Sequence, residues 1–189
     1  MAEKPVSRFS VPDIKDLPED VRARILQVQI KSGFVPNVFL ALARRPEEFR
    51  AFFAYHDALM EKKDGLTKAE REMIVVATSA VNNCLYCVVA HGAILRIRSK
   101  NPRLADQIAI NPQKAEITAR QRCMLDFALK TATRSHEIGE ADYGALREEG
   151  FTDEDIWDIA AIAGLFAMSN RLANALGIRP NDEFYGMGR

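Results

Sequence analysis

Apolar positions in this chain recur at intervals of three and four residues, and no stretch alternates apolar with polar, so the sequence predicts an all-α fold with almost no sheet. The first helix opens at Pro18, buries Val21, Ile25 and Val28, and stops at Gly33 as the residue after its C-cap. Val35-Pro36-Asn37 turns the chain into a short helix ending near Arg45. Pro46 starts the next, with Phe49, Phe52, Phe53, His56, Leu59 and Met60 on its inner side and Asp64-Gly65 as its stop. Thr67 and Glu70 form a capping box for the helix that carries Glu72. Asn82-Asn83 breaks that helix and is suited to N-cap another, which runs past Ile94, Leu95 and Ile97 and ends before Pro102. Thr118 with Gln121 repeats the capping box, a shorter helix spans about Glu140 to Gly150, and Thr152 with Asp155 caps the last long helix, which ends near Gly177. Residues 1–16 hold Pro5 and Pro12 without a helical period and are expected to be extended; 17–189 form one domain of about eight helices. Ile117 to Ala128 weakly echoes Leu66 to Ala77, as a degraded internal repeat would.

Two uncharged runs change the picture of the surface. Met73 to Val81 and Ile159 to Met168 carry no charge, although a helix packed on one side of a monomer normally shows a polar stripe on the other. Burial of one run at the centre of the domain would account for one; two runs favour a homo-oligomer. Ile159 to Met168 is too short to span a bilayer, and the start Met-Ala-Glu-Lys-Pro-Val-Ser lacks the apolar core of a signal peptide. The 26 basic and 26 acidic residues balance, so no electrostatic pull toward nucleic acid or an anionic membrane is expected. The expected compartment is the cytoplasm. Three cysteines cannot all pair within the chain, and in that compartment a CxxC pair serves chemistry or metal rather than stapling.

The candidate chemistry is concentrated in Glu72 to His91. Cys84 and Cys87 are three apart on one helix face, close enough to form a disulfide, at a helix start whose partial positive charge favours thiolate. His91 lies one turn beyond Cys87, so Cys87 is expected to be the lower-pKa thiol; the counter-argument is that Cys84 sits nearer the helix start. Glu72, flanked by Lys68, Glu70 and Arg71 but also by apolar Leu66, Met73 and Val76, reads equally as a buried relay carboxylate or as part of a solvated first turn. Cys123 reads as a buried small hydrophobe, His56 and His136 as structural or surface residues, and Tyr86 as a residue shaping access. Two other readings stand beside a redox enzyme: a non-enzymatic redox sensor, and a metal-dependent enzyme ligated by Cys84, Cys87 and His91. No GxGxxG after a strand and no P-loop occurs, so no bound cofactor is expected and electrons must come from a partner.

The order Glu72, eleven residues, Cys84-x-x-Cys87, three residues, His91 resembles the active-site motif of the AhpD-like superfamily, which includes alkyl hydroperoxide reductase D and carboxymuconolactone decarboxylase. The wording around it is similar to the branch of uncharacterised peroxidase-related enzymes: Val35-Pro36-Asn37, Glu70-Arg71-Glu72, Asn82-Asn83-Cys84, Tyr86-Cys87, Ala90-His91-Gly92, Asp153 to Asp158, Asn170-Arg171 and Pro180-Asn181. The resemblance implies a peroxidatic Cys87 that passes through a sulfenic acid, a resolving Cys84 that donates a proton, and a relay through Glu72 and His91. It implies a hydroperoxide substrate, an external dithiol reductant such as a lipoylated protein, and a trimer or hexamer. The better-known reductases have histidine where this chain has Tyr86, and the decarboxylase branch lacks the cysteine pair.

Overall fold

The computed structural model describes residues 4–189; residues 1–3, part of the segment expected to be extended, lie outside it. Among the described residues there are ten α-helices, α1 Glu19–Ser32, α2 Asn37–Ala43, α3 Pro46–Met60, α4 Lys68–Val81, α5 Leu85–Ser99, α6 Leu104–Ile110, α7 Ala119–Arg134, α8 Glu140–Glu148, α9 Asp153–Leu176 and α10 Glu183–Gly186, three short 3-10 turns and no strand. The two helices beyond the expected eight are α6 and α10, one or two turns long, too short to show a period. One 3-10 turn, Ile14–Asp16, falls in the N-terminal segment.

The chain's caps set most boundaries. All three Thr-based capping boxes form, at Thr67, Thr118 and Thr152, with the threonine hydroxyl accepting from the third helical N–H and the acid or amide reaching back. Gly33 and Gly177 end α1 and α9 at φ +85° and +61°, backbone that glycine adopts without a Cβ penalty.

Helix α4 is the axis of the molecule. It packs against α5, α6, α7 and α9, and Met73 to Ser79 are all buried. Burial inside one domain therefore accounts for Met73 to Ser79 of the first uncharged run, while Val81 at its end is exposed. Arg71 is fully buried in the same helix. Its guanidinium donates to the carbonyls of Leu59 and Asp64 and to Asp158, tying the loop after α3 to α9. A smaller cluster of Leu17, Val21, Ile25, Ala43, Phe49 and Phe53 holds α1 to α3. The two chain ends are pinned to the body: Arg8 N–H donates to the Leu176 carbonyl, Arg179 N–H to that of Val6, and the buried Arg96 donates to the Phe184 and Met187 carbonyls.

Helix α9, 24 residues, is long and apolar enough by length and composition to cross a membrane, which the shorter run from Ile159 did not suggest. One side of it is core: Ile156, Ile159, Ile162, Ala163, Phe166 and Ala173. Its other side is exposed, with Trp157, Gly164 and Met168.

Candidate active site

The site forms where α4 hands over to α5. Asn82 and Asn83 do not N-cap α5, contrary to the expectation. Asn82 closes α4, Asn83 takes left-handed backbone at φ +50°, and Cys84 itself is the N-cap residue. A short polar side chain suits the left-handed position as well as a cap, so the residue types were right and the register was one cap too early. The Cys84 N–H donates to the Ser79 carbonyl at 3.0 Å, which folds the turn back on α4. Both thiols are free and buried, with Cys84 0% and Cys87 2% exposed.

Glu72 and His91 come together from the two helices. Glu72, 2% exposed, lies inward, so the solvated first turn does not apply to it. With the proton on Nδ1, the His91 ring donates to Glu72 Oε2 at 2.7 Å, leaving Nε2 as the free ring nitrogen. Phe166 meets the His91 ring edge to face, with centroids 4.8 Å apart. Arg98 places a guanidinium nitrogen 3.4 Å from Glu72 Oε1, and another donates to Glu61. Glu70, two residues from Glu72, points elsewhere and is held by Thr67 and Arg120.

The two sulfurs share one proton unequally, and the order differs from the expectation. Cys84 is brought down to about 7. Hydrogen bonding from the Cys87 thiol is the main cause, burial opposes it, and the Cys87 backbone N–H, the Asn170 side chain and the His91 charge help. Cys87 is pushed well up, because its proton is held toward Cys84 and because it is buried. The sequence argument placed His91 beside Cys87 by helical spacing; in the folded site its charge acts on Cys84, which also holds the cap position.

Sequence reasoning did not single out Ser169 and Asn170 for a role. The Ser169 hydroxyl is 3.9 Å from the Cys87 sulfur, and Asn170 is fully buried beside it. Asn170-Arg171 belonged to the resemblance, but a partner 82 residues from Cys87 along the chain carries no local signal. Arg98 was missed for the same reason. Tyr86 is buried, and its hydroxyl accepts from the Val38 N–H at 3.3 Å in the first turn of α2; burial drives its pKa up. The bond ties the start of α5 to the start of α2. Among the described residues, no three His, Cys, Asp or Glu side chains converge as a metal-binding set. Cys123 is half-buried on α7, and His56 packs near Phe166 while leaning on Asp57.

The carboxymuconolactone decarboxylase family matches residues 46–109, which include Glu72, both cysteines of the pair and His91. An uncharacterized peroxidase-related protein from Ralstonia eutropha JMP134, an alkylhydroperoxidase AhpD core, is 69% identical over 99% of this chain and 98% of its own, with a TM-score of 0.98. The chain belongs to the AhpD-like superfamily. A second AhpD-like relative, an uncharacterized peroxidase-related protein from Silicibacter sp. TM1040, is 43% identical over 100% of this chain and 99% of its own, with a TM-score of 0.94. The debrominase Bmp8, 19% identical over 97% of this chain and 96% of its own, with a TM-score of 0.78, shares the fold alone. No curated protein matches the chain.

Proposed function

We propose that this AhpD-like protein is a thiol hydroperoxidase, reducing a hydroperoxide at Cys84 and Cys87 and drawing its electrons from a small dithiol such as a lipoylated protein in the cytoplasm. The observation that carries the reading is the union of a depressed Cys84 thiol, a Cys87 proton beside it and a His91 imidazole oriented by buried Glu72. Peroxide reduction needs a thiolate nucleophile, a proton for the departing oxygen and a second thiol.

In the proposed sequence the Cys84 thiolate attacks the outer peroxide oxygen. The O–O bond breaks, Cys84 becomes a sulfenic acid, and the departing alkoxide takes a proton from the Cys87–His91 side and leaves as the alcohol. Cys87 then attacks the Cys84 sulfur; the S–O bond breaks, the departing hydroxide takes a proton from solvent and leaves as water, and a Cys84–Cys87 disulfide forms. A dithiol restores both thiols and is itself oxidised to its disulfide. This assigns the first attack to Cys84, whereas the family pattern implies Cys87; the buried charge balance supports the exchange of roles.

Peroxide consumption tests the reading directly. With cumene hydroperoxide and dihydrolipoamide, turnover is expected in the wild type and absent in Cys84→Ser and Cys87→Ser. A single equivalent oxidised and then held, with every reductant in a panel, would make the protein a redox sensor and overturn the enzyme reading.

A further inference from the structure

We infer that Arg98, on α5, is a positioning residue of this site: it balances the buried charge of Glu72, so that His91 can stand neutral as well as protonated. The inference rests on the His91–Glu72 pair handling a proton for the cysteines, as in the reading above, but not on peroxide being the substrate.

His91 and Arg98 are seven residues apart, two turns along one face of α5. Glu72 reaches both from α4, and each of its oxygens has its own partner. Oε2 accepts from the His91 ring at 2.7 Å, and Oε1 stands 3.4 Å from Arg98 Nη1. Nη1 is buried and makes no hydrogen bond among the described residues, so at that distance it offers Glu72 a charge rather than a bond. The other terminal nitrogen, Nη2, donates to Glu61 Oε1 at 3.2 Å, and Lys68 donates to Glu61 Oε2 at 2.8 Å. Glu61 is half exposed, so the guanidinium is anchored at the surface and faces inward to Glu72.

A carboxylate as buried as Glu72 needs a countercharge. Protonated His91 supplies one, but only while it holds its proton. In the sequence proposed above, the departing oxygen takes a proton from this side of the site. Once His91 has given it, the ring is neutral and Glu72 keeps its charge. A guanidinium stays charged at every working pH, so Arg98 balances Glu72 in the state in which His91 does not. With Arg98 gone, Glu72 would be balanced by the imidazolium alone, and the ring would hold its proton more tightly. The other charged groups on the surrounding helices have partners of their own. Arg71 of α4 pairs with Asp158 of α9, Arg120 of α7 with Glu70 of α4, and Arg189 with Asp106 of α6, while Arg96 of α5 donates to carbonyls near the C-terminus. His56 of α3 leans on Asp57, and α9 presents Phe166 to the His91 ring. The two thiols also titrate in this site, and the charge of His91 acts on Cys84.

Stability alone would not reveal the role, because a cation in the last turn of a helix is favoured by the helix dipole whatever it faces. The His91 proton does reveal it. Nuclear magnetic resonance of the ring reads that proton and needs no substrate, with Cys84 and Cys87 replaced by serine to remove their titrations and with His56→Gln and His136→Gln to assign the signals. In Arg98→Met the His91 midpoint is expected about one pH unit above that of the same protein with Arg98, about a tenfold stronger hold on the proton. Arg98→Lys, which keeps a charge on a similar stem, should stay close to the parent. With the cysteines intact, turnover of cumene hydroperoxide with dihydrolipoamide should fall about tenfold in Arg98→Met and be largely restored in Arg98→Lys. A folded Arg98→Met protein with the parent midpoint overturns the assignment, as does Arg98→Lys shifting as far as Arg98→Met. Should Arg98→Met fail to fold, Arg98→Gln, neutral but able to donate, takes its place on the same terms. Equal turnover in an active wild type and Arg98→Met would remove Arg98 from the relay. A protein that consumes no hydroperoxide but shows the midpoint shift loses the peroxidase reading and keeps Arg98 in its role.

Discussion

Charge on the cysteine pair depends on contacts a few ångströms across, and two predictions belong at that scale. Cys84 is an acid whose pKa is depressed to about 7, so its thiolate form fills as pH rises through that value and is lost as pH falls through it, while Cys87 stays protonated well above. Peptide-resolved alkylation should therefore modify Cys84 first, with a midpoint near its depressed pKa, and Cys87 only after it. Peroxide with a sulfenic-acid trap should label Cys84 in the Cys87→Ser protein; a label confined to Cys87 in the Cys84→Ser protein would restore the opposite assignment. The four residues Glu72, Cys84, Cys87 and His91 were legible because three lie within eight positions and the fourth sits on the preceding helix. Which sulfur holds the charge was not legible. It follows from the cap position of Cys84 and from groups on α9, and spacing along α5 reports neither.

Three adjacent charged residues in the first turns of α4 do three different jobs, and their separation is a property of the element. Glu70 caps the helix and also pairs with Arg120, whose guanidinium lies 3.7 Å from the centroid of the Phe151 ring. Arg71 clamps the loop to α9, and Glu72 orients His91. Glu70→Gln should cost somewhat more than the roughly 1 kcal/mol of a cap alone, because the partly exposed Arg120 also loses its charged partner. Glu72→Gln, which takes the buried charged partner from His91 and Arg98, should also lower the urea midpoint, and in addition should lower turnover by about ten- to a thousandfold, the scale of a relay component. Urea unfolding and peroxidase turnover on the two variants check the division; equal activity in Glu72→Gln and wild type would remove Glu72 from the site. Capping boxes were readable here because each is written within four residues. The inward turn of Glu72 was not, because it is set by α5, nineteen residues away.

At the scale of the whole molecule, the two uncharged runs part company. Met73 to Ser79 in α4 are consumed by the core, with none more than 1% exposed, and they say nothing about assembly. The run on α9 keeps its force and gains a face. Trp157 is 72% exposed and Met168 46%, with Ala160, Ala161 and Gly164 between them, so an apolar ridge with a low waist faces outward. We propose that this ridge pairs with its copy in a second chain. Two α9 helices crossing antiparallel at Gly164 bring the alanines and glycine into close contact and set each Trp157 opposite Arg171 of the other copy, seven residues on either side of the crossing. Such a two-fold contact builds an even-numbered assembly, and a hexamer can contain it where a bare trimer cannot. Light scattering behind a sizing column should give a mass at least twice the 21.2 kDa chain, and Gly164→Arg should lower it by driving the ridges apart. Trp157 is the sole tryptophan, so its emission should move to longer wavelength as the assembly is diluted apart. A single-chain mass at micromolar concentration, with emission unchanged on dilution, would show that the ridge faces solvent alone.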